Sequence, residues 1–160
     1  MANKGFQKQH RYRLIDQKIA LLQSYPEAAC SIHHGILTWE GAVQPTALSR
    51  LYQVTVTYKI GLRPQVSVTS DELPGLDRPD FPHRFSIDRK NKTVKICLHL
   101  GHEFNASQLI AECIVPWAVE WLYFYELWLA TGEWCGGGKH PGRPVEEQCP
   151  QSFDWGHSIR

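Results

Sequence analysis

The stretch Thr93-Val94-Lys95-Ile96-Cys97-Leu98-His99 places a nucleophile inside a strand-like alternation. Side chains along a strand point to opposite faces with period two, so with Val94, Ile96 and Leu98 turned to a core, Cys97 shares the outer face with Lys95 and His99. The thiolate is the reactive form of cysteine, and a neighbouring cation or imidazole favours it. Gly101 is expected to end the strand just past the thiol, at the mouth of a loop, where catalytic groups are often presented. The chemistry this arrangement suits is covalent catalysis, with His83, His99 and His102 as candidate bases or orienting groups. The plainer alternative is a small buried thiol and solvated loop histidines. Position on the outer face sets Cys97 apart from Cys30, Cys113 and Cys149, for which spacing makes no comparable case.

Other constellations are weaker. Cys135, His140 and Cys149 are metal-ligand types in an irregular region, but their spacing is unlike the paired-ligand zinc knuckles, and no metal is expected. Gly136-Gly137-Gly138-Lys139 follows a helical pattern, lacks the earlier glycine of a phosphate loop, and has His140 where a magnesium-binding Ser or Thr should stand. Glu120 and Glu126 do not share a helical face, so a paired-carboxylate site is not expected; they should satisfy partners beneath neighbouring loops. Nothing in the sequence calls for a cofactor.

A chain of 160 residues suits one domain with a full core, here spanning about residues 11–141 with an irregular tail over 142–160. A formal net charge of +1 offers no electrostatic reason for a nucleic acid or an anionic membrane as main partner. Met1 to Arg13 is polar and basic without an apolar run, so no secretory signal is read and a cytoplasmic protein is expected. The odd count of five cysteines fits reduced thiols better than a disulfide framework.

The elements that must position Cys97 follow from periodicity. About Gln9 to Gln23 reads as a helix with Ile15, Ile19 and Leu22 on its apolar stripe, stopped by Pro26. Cys30 to Trp39 reads as one strand bent at Gly35. Leu51 to Ile60 alternates cleanly, with Tyr52, Val54, Val56, Tyr58 and Ile60 on one face, and Gln65 to Thr69 returns antiparallel with Val66 and Val68 inward. Ser70 to Pro82, interrupted by Pro74, Gly75 and Pro79, is a long ordered loop or lid that leads directly to His83. Phe85 to Asp88 and the strand of Cys97 form either a small hairpin or one extended excursion. Asn105 to Cys113 reads as a short helix capped by Asn105. Trp117 to Thr131 is a helix with Pro116 in its first turn and Gly132 just past its end. Its stripe Trp117, Trp121, Phe124, Trp128 adjoins Ala118, Leu122, Tyr125, Leu129, and with Glu120 and Glu126 inside it the helix belongs to a core and not to a bilayer.

The fold class is therefore α+β: an N-terminal helix, an antiparallel meander of about four strands, and C-terminal helices of which one is buried and aromatic. That order, with Ile96-Cys97-Leu98 after the sheet, resembles a ubiquitin-conjugating enzyme domain. The segments Pro116-Trp117, Glu120-Trp121-Leu122, Tyr125-Glu126, Trp128 and Thr131-Gly132-Glu133-Trp134 are more closely similar to the prokaryotic ubiquitin-conjugating-like proteins of anti-phage CBASS-type operons. The resemblance covers roughly Arg11 to Pro141.

The resemblance implies that Cys97 receives the C-terminal glycine of a protein as a thioester and passes it to an amine, commonly a lysine of an acceptor protein. The protein so attached would be similar to a cGAS-like nucleotidyltransferase. The His-Pro-Asn segment of the eukaryotic family is absent as such, with Pro82-His83 and Asn91 approximating it, so the oxyanion-stabilising residue is unassigned. His99 stands where that family often has an aspartate and would replace it as local base. Against the enzyme stands a rival: an inactive scaffold of the same fold that binds a partner through its sheet or aromatic surface.

Overall fold

The computed structural model describes residues 10–98 and 102–137. Over these it is an α+β structure, with α1 (Leu14–Ser24), six strands and α2 (Ile114–Thr131) in chain order. The strands are β1 (Ala29–His33), β2 (Ile36–Val43), β3 (Tyr52–Tyr58), β4 (Gln65–Thr69), β5 (Arg84–Asp88) and β6 (Thr93–Ile96). Every pairing is antiparallel, in the order β1-β2-β3-β4-β6-β5.

Six strands replace the expected four for two local reasons. The apolar run from Cys30 to Trp39 is a hairpin and not one bent strand. His34 and Gly35 take φ of 49° and 73°, the two positive values of a type I′ reversal, so the side-chain alternation restarts at Ile36. A β-branched residue is strained at positive φ, so Gly35→Val is expected to lower stability by about 1–3 kcal/mol, read as a fall in the urea midpoint. The second reason lies at the other edge, where β5 and β6 resolve as a hairpin. Asp88 closes its turn, accepting from the Asn91 backbone N–H at 3.1 Å and from Asn91 Nδ2 at 2.7 Å.

The centre of the sheet matches its alternation. Tyr52, Val54, Val56 and Tyr58 of β3 are buried, as are Val66 and Val68 of β4, whereas Ile60 lies past the strand end and is exposed. Ser70 to Pro82 is an ordered loop anchored to α2. Leu73 and Phe81 are buried, the Tyr125 hydroxyl donates to the Pro74 carbonyl at 2.7 Å, and the Arg78 guanidinium lies 4.1 Å from the Trp128 ring centroid.

Each of the three expected helices needs correction. α1 starts at Leu14, because Arg13 is its N-cap and donates its backbone N–H to the Asp16 carboxylate at 2.8 Å. Its buried face is Gln17 and Leu21, while Ile15 and Ile19 of the expected stripe are about half exposed. Asn105 to Cys113 is a succession of turns in place of a helix: Asn105 Oδ1 accepts from the Ser107 backbone at 2.9 Å, which holds a turn and starts no helix.

α2 begins at Ile114, three residues before the expected Trp117, and ends where Gly132 adopts φ 82° and donates its N–H to the Trp128 carbonyl at 2.8 Å. Ala118, Trp121, Leu122, Tyr125 and Trp128 are buried. Glu126 does satisfy a neighbouring loop: its carboxylate accepts from Ser49 Oγ at 2.6 Å, the Tyr52 hydroxyl at 2.8 Å and the Arg50 N–H at 3.3 Å. Among the described residues no helix is long and apolar enough to cross a membrane.

Candidate functional site

β6 ends at Ile96, so Cys97 is the first residue beyond the ladder, earlier than a stop at Gly101 would place it. The alternation holds up to that point. Val94 and Ile96 are buried, Lys95 and Cys97 are partly exposed in the opposite phase, and Leu98 is only partly buried. The Cys97 backbone N–H donates to the His83 carbonyl at 2.9 Å, which extends the β5–β6 pairing by one step beyond Arg84 and Ile96. Strand pairing thus brings His83 and Cys97 side by side, although fourteen positions separate them in the chain.

His83 is not a solvated loop residue. It is 5% exposed, takes a positive φ of 41°, and tilts its ring against Trp134 with centroids 4.9 Å apart. Trp134 reaches it because the left-handed Gly132 turns the chain back along α2, where Trp134 also meets Trp121 and Phe124. His102 is exposed, and His99 lies outside the described residues. Asn91 sits in the turn at the opposite end of β6 from the thiol, bonded to Asp88.

The electrostatics correct the expectation of a thiolate favoured by Lys95. Lys95 Nζ instead donates to Gln65 Oε1 at 2.9 Å. Burial pushes the Cys97 thiol above its ordinary value; the positive charge of Arg63 pulls it down and Glu103 pushes it further up. The Cys30 and Cys113 thiols move the same way, chiefly through burial. Cys30 has Lys18 acting against the shift, a cation its sequence neighbourhood does not reveal, and Cys113 has Glu112 adding to it. What distinguishes Cys97 is therefore its place at a strand end and not a lowered pKa.

Two residues at this site carry no local signal in the sequence. A bulge between Arg84 and Ser86 leaves Phe85 without a partner on β6, and the residue is 48% exposed. Arg63, in the turn between β3 and β4, places its guanidinium 5.9 Å from the centroid of that ring. Bulges recur beside active sites, where they re-aim a side chain. Only the register of β4 on β6, with Val66 opposite Ile96, shows that the Arg63 turn comes to the end of β6.

Cys30, Cys97 and Cys113 are free thiols. Of the residues considered for zinc, His140 and Cys149 lie outside the described residues, as does Lys139 of the glycine run. Among the described residues no three His, Cys, Asp or Glu side chains gather as a metal site would require.

A family model for the type II CBASS E2 protein matches residues 17–141. No curated protein matches the chain.

Proposed function

Because the chain belongs to the type II CBASS E2 proteins, we propose that it is a ubiquitin-conjugating-like cysteine acyltransferase of anti-phage defence, with Cys97 as the acyl carrier. The observation that carries this reading is the position of the partly exposed Cys97 at the end of β6, out of phase with buried Val94 and Ile96. A thiol there can accept a bulky acyl group without opening the core.

The chemistry proceeds in two displacements. The Cys97 thiol loses its proton to solvent, and the thiolate attacks the C-terminal glycyl carbonyl of a protein presented as an activated acyl donor, such as an acyl adenylate; a carbon–sulfur bond forms, the carbonyl–phosphate bond breaks and the adenylate leaves as AMP. An acceptor amine, commonly a lysine, then attacks the thioester carbonyl. The carbon–sulfur bond breaks, the sulfur departs as thiolate, and the ammonium proton passes to a base, for which His99 is the candidate. His83 contributes through its backbone carbonyl, which fixes the Cys97 peptide. In this reading the donor is a cGAS-like nucleotidyltransferase attached through its own C-terminus.

Co-expression with the neighbouring operon proteins tests the proposal by intact mass. The wild type is expected to carry an added protein mass that thiol reagents remove, and Cys97→Ser to hold it as a reagent-resistant oxyester. His99→Ala should slow transfer by roughly ten- to a thousandfold if the imidazole is the base. Persistent absence of any thiol-labile adduct would reject the transferase. A partner-binding scaffold is the second reading, favoured by the upward shift of the Cys97 thiol and by the distance of Asn91 from it.

A further inference from the structure

Asn91, the asparagine considered for an oxyanion, sits in the turn at the other end of β6 from the thiol, yet the thiol's end is not without a positive group. Arg63 reaches it from the β3–β4 turn, because Val66 pairs with Ile96 and the chain just before β4 must then run beside the chain just after β6. Arg63 is exposed, and an exposed arginine ordinarily samples many rotamers. Here its guanidinium lies over the Phe85 ring at 5.9 Å, within the range of a cation–π contact.

Phe85 is an expensive residue to expose, and its exposure has a structural cause. The bulge interrupts the β5–β6 register between Arg84 and Ser86, immediately before the pairing that leads to Cys97. The bulge thus sets an aromatic shelf at the site, and the shelf holds the guanidinium. The polar and charged groups around the thiol come from four segments. Arg63 on the β3–β4 turn favours negative charge on the sulfur and Glu103 opposes it. Buried His83, just before β5, presents its carbonyl to the Cys97 peptide, and Lys95 of β6 is held by Gln65.

We propose that Arg63, seated on the Phe85 ring, stabilises the negative charge that develops at the Cys97 acyl centre. The inference rests on the reading of Cys97 as acyl carrier and supplies that reading with its missing electrostatic group. When the amine attacks the Cys97 thioester, the carbonyl π electrons move to oxygen; as the carbon–sulfur bond breaks, charge returns from oxygen to the departing sulfur. A guanidinium beside the centre lowers the energy of both charged species, and it does so without losing a proton, since arginine stays cationic throughout the working pH range.

Two measurements on the full chain separate this proposal from the reading beneath it. The first is the pH profile of Cys97 alkylation by iodoacetamide, resolved by peptide mass so that the other cysteines need no replacement. Arg63→Gln is expected to slow alkylation near neutrality by about three- to tenfold and move the profile to higher pH, Arg63→Lys to retain most of the rate, and Phe85→Ala to fall between. The second is aminolysis of a Cys97 thioester loaded from a glycyl-peptide thioester of mercaptoethanesulfonate, with free lysine as acceptor. Arg63→Gln should slow this step by about ten- to a hundredfold. If the wild type loads and transfers while Arg63→Gln matches it in both measurements, the proposal is overturned and the acyl-carrier reading stands. If the wild type cannot be loaded, both fall, whatever the alkylation profile shows. Arg63 is exposed, so the variant should keep the wild-type thermal midpoint, which makes a loss of rate attributable to charge.

Discussion

Cys97→Ala is expected to abolish adduct formation and to leave the unfolding free energy within about 0.5 kcal/mol of wild type. The two halves of this result have one structural origin. Val94 and Ile96 are 1% and 2% exposed and hold β6 to the core, while Cys97 lies one step beyond the ladder in the opposite phase. Removing its sulfur opens no internal cavity of the kind that makes large-to-small core changes costly. The hydrogen bond to His83 is made by the Cys97 backbone and survives the substitution. Chemistry has no such reserve, because alanine cannot form a thioester. A gel shift with and without thiol reports the first half, and urea unfolding the second. An alanine variant that still forms the adduct would remove Cys97 from the mechanism, and one that unfolds would show that its face was misjudged. Since burial raises the thiol pKa, the wild-type reaction should also quicken as pH rises through neutrality, as the thiolate fraction grows.

What could be read from the sequence was whatever depends on near neighbours. Tyr52 to Tyr58 and Gln65 to Thr69 alternate because each strand buries one face, and that pattern is complete within a few residues. Gly132 ends α2 by adopting a backbone conformation in which glycine carries no penalty, again a local matter. The phase of Cys97 relative to Val94 and Ile96 belongs to the same class. Its electrostatic surroundings do not. Lys95 is the nearest cation in sequence but is spent on Gln65, and Arg63 arrives from another turn through the register of β4 on β6. The bulge at Phe85 is likewise invisible to alternation, since it consists in a mismatch between two strands. The β1–β2 turn was missed for a different reason: His34 occupies a positive φ that few non-glycine residues adopt, so only Gly35 announced the bend.

The face of α1 was the most instructive error, and it yields the largest stability effect expected here. Aliphatic spacing favours burying Ile15 and Ile19, yet these are 45% and 50% exposed while Gln17 is 0% exposed. The amide explains the reversal. Gln17 Nε2 donates to the Gln108 carbonyl at 2.8 Å, and Gln17 Oε1 accepts from the Ile110 N–H at 2.8 Å, so one side chain satisfies two backbone groups of a segment that has no helix to satisfy them. That segment, residues 102–113, connects the neighbourhood of Cys97 to the start of α2 and carries Glu103. Gln17→Leu keeps the bulk and adds apolar area, so a purely hydrophobic account expects it to be neutral or stabilising. The hydrogen-bond account expects a loss of about 2–6 kcal/mol, because a buried donor and a partly buried acceptor are left unpaired at roughly 1–3 kcal/mol each. Ile19→Gln should change stability by less than about 0.5 kcal/mol. Urea unfolding of the two variants decides between the accounts, and amide hydrogen exchange at Ile110 localises the damage, since that N–H should lose protection in Gln17→Leu before the centre of the sheet does. A neutral Gln17→Leu beside a destabilised Ile19→Gln would mean that α1 packs by its aliphatic stripe after all. With the expected result, adduct formation should weaken in Gln17→Leu although the residue lies far along the chain from Cys97, because the segment that borders the thiol would no longer be held in place.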